Sequence, residues 1–474
     1  MLIINYLNHS WSVLKGDLSH IRLVKRHFSI AYKNAFHMRR ANPNFDGKYK
    51  FVNSNNTIPN GLLSKLIAFL EHKNIEWNLN DVNNIRKRKM LPKNAFDFSL
   101  YDDNKVLKME GKFKYQSESV IRALYYTRGI INLATNAGKT EVMAGIIKNL
   151  LLLDKDFIIF IIVPSLQLLE QTSKRLEKRL QRKVYVYHDR RRSIGNINIT
   201  TVQTLHAERN TERKNFIKHN VNCFFIDEVH AVSSSKNWYS TLQYAFLNAK
   251  YRFGMTGTVK LDDRVKEYML ESVTGAVIHR VTNEELIRLG VSVKPTIHFL
   301  PIYISGLLDG MTFQQELKHV FRSREFYMPF LKFFNSKDDG GNMILVSYLN
   351  HGRILETYLP QAKFLSGKDK VAERNKVLKE WADGKYKTII ATQIFKFGLD
   401  THSIKRMYLL SIGAKTSKTL QELGRALRKN EIGRVDIYFI KFLGSSYLIK
   451  HAIKQKYICE QEGFEIISHK QLLY

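Results

Sequence analysis

The chain has 474 residues, 44% of them hydrophobic, enough for two or three domains with ordinary cores. Lysine and arginine total 75 against 43 acids, a formal charge of +32 with a pI near 9.9. That points to a polyanionic partner, foremost nucleic acid, the other reading being a generally basic protein without one. No apolar run reaches the roughly 18 residues of a membrane-spanning helix, so no membrane partner is expected. Cys223 and Cys459 are too far apart in sequence for a clustered zinc site.

Residues 1–15 hold a short apolar stretch broken by Asn5, Asn8 and His9, a poor signal peptide, so a soluble protein of a reducing compartment is expected. Residues 1–100 are basic and rich in Asn and aromatics. Residues 41–47 carry turn chemistry, 48–52 alternate like a strand, and 62–72 have apolar residues at helical spacing, which together predict a small α+β module. Arg86 to Lys89 is a basic cluster on a connector, or plain solvated charge. Over 101–287, short apolar runs at 130–133, 157–163, 223–226 and 252–255 alternate with helical patterns such as 141–153. Over 288–474 the alternation returns, with strands at 342–347, 388–391, 406–410 and 435–442 and helices at 371–382 and 419–429. Such alternation predicts α/β domains with mostly parallel sheets flanked by helices. The last stretch, 444–474, is helical and then strand-like, without a functional reading.

Leu133-Ala-Thr-Asn-Ala-Gly-Lys-Thr140 follows a buried-type strand and opens a helix. There, backbone amides of Thr135, Asn136, Ala137 and Gly138 can face phosphates, Lys139 can reach the β and γ phosphates, and the Thr140 hydroxyl can bind Mg²⁺. The usual pattern has Gly at the position of Leu133, so this loop is short of glycines. Phe224-Phe-Ile-Asp-Glu-Val-His230 is an apolar strand ending in two acids. Asp227 at its tip can hold Mg²⁺, and Glu228 can act as general base on water. His230 can sense that site. Thr256-Gly-Thr258 (Thr256, Gly257, Thr258) follows another apolar strand and offers hydroxyls for coupling, or is an ordinary turn. Gln421 to Arg428 sets Arg425 and Arg428 three apart on one helix face, as arginine fingers or as a solvated basic face.

In this order the pieces resemble the superfamily 2 helicases, from about Tyr115 to Lys429. Tyr115 and Gln116 resemble the adenine-reading element and 133–140 motif I. Val163 to Gln171 resembles motif Ia, with Pro164, Ser165 and Gln171. Thr200 to Thr204 resembles motif Ic, with Thr201 and Gln203. Asp-Glu-Val-His at 227–230 is similar to motif II in its DExH form, and 256–258 to motif III. Ser347 ends a run like motif IV, and Gly367 follows as expected. Thr392 to Asp400, with Gly398, resembles motif V, and 421–428 resembles motif VI. More narrowly, the Asn136-Ala137 pair before Gly-Lys and the stretch Asn42 to Lys48 resemble the phage recombination helicases of the UvsW type.

The resemblance implies two tandem RecA-like domains after a small N-terminal substrate-binding domain, with boundaries at 1–100, 101–287 and 288–474. It implies ATP and Mg²⁺ as cofactors, with Gly398, Asp400 and Gln421 joining the nucleotide site. Motifs Ia, Ic, IV and V would grip a single DNA strand tracked between the domains. The substrate would be branched or forked DNA, in replication, recombination and repair, acted on by a monomer in the cytoplasm, the host's if the source is viral. Three other readings remain open: an RNA-directed helicase, a double-strand translocase that does not separate strands, and a nucleic-acid-binding protein without catalysis. The basic helix at 166–183, with 188–192, is a further candidate DNA contact, or a solvated face.

Overall fold

The broken apolar stretch at the start of the chain is a β-hairpin. Leu2–Tyr6 pairs antiparallel with Trp11–Gly16, and the Asn8 carboxamide oxygen accepts from the N–H groups of Ser10 (2.8 Å) and Trp11 (3.0 Å) to close the turn. Asn8 and His9 of the broken stretch lie in that turn, whereas Asn5 lies in the first strand. The computed structural model describes every residue except 34, 43, 82–90, 104, 235, 258–262, 308, 309, 393–403, 411–422, 425, 428–432 and 470–474.

The hairpin joins Thr57–Pro59 and Trp77–Asn80 in a four-stranded sheet. The helices Leu18–His27 and Leu63–His72 bury Ile21, Val24, Leu66 and Leu70 in the module's core. The strand expected over 48–52 is limited to Lys48–Lys50, paired with Ser29–Ala31.

This module shares a core with the α/β domain next to it in the chain. One hydrophobic cluster runs from Leu2 to Val273, with Phe28 and Phe51 packed on Tyr268 at 6.0 and 5.4 Å between ring centroids. Gly61 is obligatory at the contact, since a Cβ there would stand 1.8 Å from the Glu271 carbonyl oxygen. Arg252 is fully buried and donates to Ser10 Oγ (2.6 Å) and to the carbonyls of Phe246 (2.5 Å) and Ala249 (2.8 Å). Arg252→Met keeps the bulk but strands these acceptors, and is expected to cost about 3 kcal/mol. A urea midpoint that fails to move would show that the tie is incidental.

The described chain divides into two compact units, Met1–Leu133 with Gly138–Val281, and Thr282–Tyr474 with the short run Ala134–Ala137. Each holds a seven-stranded, all-parallel sheet. The first runs Tyr185–Val186, Ile197–Thr201, Ile159–Val163, Cys223–Asp227, Tyr251–Thr256, Arg128–Leu133, Val277–Val281. The second runs Ala362–Leu365, Thr388–Thr392, Asn342–Val346, Arg406–Leu409, Arg434–Leu443, Lys294–Tyr303, Glu465–Ser468. Counted in chain order within its own sheet, each reads 3-4-2-5-6-1-7. Central strands are buried along their whole length, as expected of parallel strands covered on both faces.

The two sheets differ just beyond their first strand. After Leu133 comes the loop that opens the helix Lys139–Leu153. After Tyr303 comes Ser305, whose N–H and hydroxyl both donate to the Glu325 carboxylate at 2.6 Å. The helix expected over 419–429 falls mostly outside the described residues. The last stretch is the helix Ser446–Gln461 and then the strand Glu465–Ser468.

Candidate nucleotide and nucleic-acid sites

The strand Arg128–Leu133 ends at a loop whose backbone turns left-handed twice, at Asn136 (φ 72°) and Gly138 (φ 80°). Asparagine accepts that conformation better than most residues, so the loop turns with one glycine fewer. Gly138 has a second constraint: a Cβ there would meet Gln116 Nε2 at 2.4 Å. Gln116 and Tyr115 are buried in the first turn of the helix Lys114–Tyr126, so the expected adenine-reading element is packed against the phosphate loop. Thr135 and Thr140 are half-buried and Ala137 is fully buried.

Lys139 Nζ lies 3.4 Å from Glu228 Oε1, at the end of the strand Cys223–Asp227. Burial works against the lysine's charge, but Glu228 and Asp227 more than offset it and hold the ammonium above its ordinary range. The Asp227 carboxyl is pushed up to about 6 by burial and by the neighbouring Glu228 charge, with Lys139 pulling it back. Glu228 takes a left-handed backbone (φ 50°), strained for a non-glycine residue, and its N–H donates to Asp227 Oδ1 at 3.0 Å. Strain of this kind gathers where geometry serves function rather than stability.

From Glu228 a polar chain leads away. Glu228 Oε2 is 3.3 Å from His230 Nδ1, which is 3.1 Å from Thr256 Oγ1. Asn132 belongs to this region too, and no sequence motif marks it. In the orientation that satisfies its surroundings, its amide donates to the carbonyls of Thr256 (3.2 Å) and Gly257 (3.3 Å), tying the phosphate-loop strand to the coupling segment. Its signal is a lone amide inside the apolar run Ile130 to Leu133.

The donor set suits a magnesium nucleotide. One hydroxyl (Thr140) and one carboxylate (Asp227) are what Mg²⁺ takes from a protein when phosphate and water supply the other ligands. Metal-free, the raised Asp227 pKa is a cost. The folded value, about 6, exceeds the ordinary 3.8, so the folded state binds the proton more tightly and stability falls as pH rises between those values. Asp227→Asn is expected to stabilise the nucleotide-free protein by about 1–2 kcal/mol at pH 7.5, and the gain should fade as pH drops toward 4. A lower thermal midpoint for the variant at pH 7.5 would contradict this.

Candidate strand contacts lie at the carboxyl ends of both sheets. In the first, Pro164 and Ser165 are half-buried, and Ser165 caps the helix Leu166–Leu180 by accepting from Leu168 N–H. Gln171 is exposed on that helix and Gln203 on the helix Val202–Ala207. Thr201 caps the latter helix and shares a hydrogen bond with Thr204 at 3.0 Å. In the second sheet, Val346 pairs with Thr392, so Ser347 and Thr392 end neighbouring strands. The hydroxyl of each is buried without a hydrogen-bond partner among the described residues. Gly367 is exposed just past Ala362–Leu365. Thr258, Gly398, Asp400, Gln421, Arg425 and Arg428 lie outside the described residues.

Part of the basic helix is engaged in ion pairs within the protein. Lys178 pairs with Asp102 (2.6 Å) and Asp103 (2.8 Å), Arg179 with Asp102 (2.9 Å) and Glu141 (3.3 Å), and Arg175 with Glu141 (2.6 Å). These cations fasten the hairpin Ser99–Lys108 and the phosphate-loop helix rather than forming an open cationic stripe. Cys223 and Cys459 are both buried free thiols. Among the described residues no helix is long and apolar enough to cross a membrane, and no group of three or more His, Cys, Asp and Glu could hold a metal.

Comparison with known proteins places two families on the chain. The Type III restriction enzyme, res subunit family matches residues 110–261, and the helicase conserved C-terminal domain matches residues 325–430. The chain is 26% identical over 364 aligned positions to the DNA 3'-5' translocase XPB2 of Sulfurisphaera tokodaii, covering 67% of this chain and 78% of that protein. It is 22% identical over 503 aligned positions to the ATP-dependent DNA helicase uvsW of Enterobacteria phage T4, covering 94% and 97%. Among solved structures, the crystal structure of T4 UvsW covers all of both chains at a TM-score of 0.51 and 18% identity. S. cerevisiae Dbp5 bound to RNA and ADP BeF3 covers 76% of this chain and 93% of that one, at 0.51 and 15%. These likenesses agree with the sheets in giving two tandem RecA-like domains after a small α+β region.

Proposed function

We propose that the chain, which resembles the superfamily 2 helicases of the UvsW type, is an ATP hydrolase that acts on nucleic acid and remodels branched DNA by moving along one strand. The observation that carries the reading is the continuous set Lys139, Glu228, His230 and Thr256, which links a phosphate loop to a coupling segment through contacts of 3.1–3.4 Å.

In this reading Lys139 holds the β and γ phosphates, and Thr140 and Asp227 hold Mg²⁺. Bound there, Mg²⁺ would supply positive charge against the charge that develops on the phosphates. Glu228 accepts a proton from the attacking water, while the loop amides of 135–138 orient the phosphates. By the resemblance alone, Gly398, Asp400, Gln421, Arg425 and Arg428 are further candidates for nucleotide contact. His230 reports the state of Glu228 to Thr256. Pro164, Ser165, Gln171, Thr201, Gln203, Ser347, Gly367 and Thr392 hold the sugar–phosphate backbone. That grip is independent of sequence and weakens steeply with salt.

Branched DNA is favoured over the alternatives by the likeness to the phage helicase along nearly its whole length, including the N-terminal module. The likeness to an archaeal DNA translocase supports DNA over RNA. Action as a monomer, and in the cytoplasm of an infected host, belongs to the same proposal.

Steady-state ATPase is expected to rise strongly with single-stranded DNA and further with a four-way junction. Equal stimulation by linear duplex and junction would replace the branched-DNA reading with that of a double-strand translocase. Stimulation by RNA alone would replace DNA, and absence of turnover would leave a binding protein.

A further inference from the structure

A cavity of about 550 Å³ opens in the second unit, beside the end of the strand Asn342–Val346. Tyr348 lines it, 47% exposed, set edge-on to the buried Phe321 with centroids 6.0 Å apart. His351, 2% exposed, also lines it and lies against Phe321 at 4.1 Å. Neither ring nitrogen of His351 has a hydrogen-bond partner among the described residues. Lys318 and Arg322 also line it, beside Gln314 and Asn350; both cations are exposed and make no ion pair among the described residues.

Each feature restricts the occupant. A buried polar atom left unpaired is uncommon and costly, so His351 awaits a partner. Burial pushes its pKa down to about 3, which makes it a neutral ring with one donor and one acceptor nitrogen, suited to an uncharged polar edge and not to an anion. The exposed Tyr348 face offers a stacking platform, and the two cations offer a place for phosphate. An acidic peptide would use the cations and the apolar wall but leave the imidazole unpaired. A base carrying its phosphate uses all of them.

We propose that this cavity receives one unpaired nucleobase of the bound strand, stacked on Tyr348, with its polar edge toward His351 and its phosphate toward Lys318 and Arg322. The inference rests on the reading that Ser347, the residue before Tyr348, holds the strand. It adds a base-sized seat to a grip otherwise made on the backbone, and so a means of keeping the strand from sliding back between steps.

The test uses the full chain and a partial duplex whose junction sets the register, with one abasic position moved stepwise along the single-stranded arm. Affinity is expected to fall about fivefold to a hundredfold at one position or two adjacent positions, the loss typical of one stacked base. Tyr348→Ala should flatten the profile and Tyr348→Phe should keep it. His351→Leu should keep the dip and remove differences among the four bases there. A flat wild-type profile with the arm still tightly bound would overturn the cavity and leave the motor reading standing, as would an unchanged dip in Tyr348→Ala. Displacement of the arm by an acidic peptide in wild type but not in Tyr348→Ala would assign the cavity to a protein partner instead. Failure of the wild-type protein to bind the arm at all would remove both readings.

Discussion

Glu228→Gln is expected to lower the rate of ATP hydrolysis by about 10²–10⁴-fold, the range for removing a general base, while ATP still binds. The carboxylate stands between Lys139 at 3.4 Å and His230 at 3.3 Å, and Gln keeps its size while losing its basicity and charge. Its removal also relieves Asp227, whose pKa the neighbouring Glu228 charge raises. The variant should therefore hold magnesium nucleotide at least as well as the parent and stall before hydrolysis. Stopped-flow nucleotide binding beside steady-state turnover separates the two effects. Turnover near the parent rate would place the base elsewhere.

Lys139→Ala should act on a different step. Loss of a preorganised cation facing a transferring phosphoryl group costs about 10²–10³-fold in turnover, and here nucleotide affinity should fall with it. The same cation holds down the Asp227 pKa, so its loss should push that carboxyl further up and weaken metal binding near neutral pH. Single-stranded DNA binding should persist, because the candidate strand contacts sit on other loops. Normal ATPase in this variant would sink the nucleotide-site assignment. If DNA binding were lost as well, the substitution would have unfolded the domain, which circular dichroism would reveal.

The α/β class was legible because fully buried parallel strands are short apolar runs that helical patterns separate, as at Ile159–Val163 and Asn342–Val346. The phosphate loop and the acid pair were legible because their spacing comes from backbone geometry: a strand, a tight turn, a helix start, and a strand tip. What depends on distant partners was not. Nothing local marks Lys178, Arg179 and Arg175 as bound to Asp102, Asp103 and Glu141, because an ion pair and a solvated cation look alike in sequence. The opening hairpin was hidden because Asn8 closes it with a side chain rather than a Gly-containing turn. Asn132 was passed over because one amide barely disturbs an apolar run, although its contacts to Thr256 and Gly257 join two motifs.

The two seven-stranded sheets are wired alike, yet only one opens into a loop with Gly138, Lys139 and Thr140. In the other, Ser305 stands after the equivalent first strand, and its amide and hydroxyl already close on the Glu325 carboxylate. There an internal acid already takes up the amide and hydroxyl that follow the strand. Under the proposed function the consequence is one of stoichiometry: one nucleotide per polypeptide, because the segment after the second sheet's first strand carries no Gly-Lys-Thr.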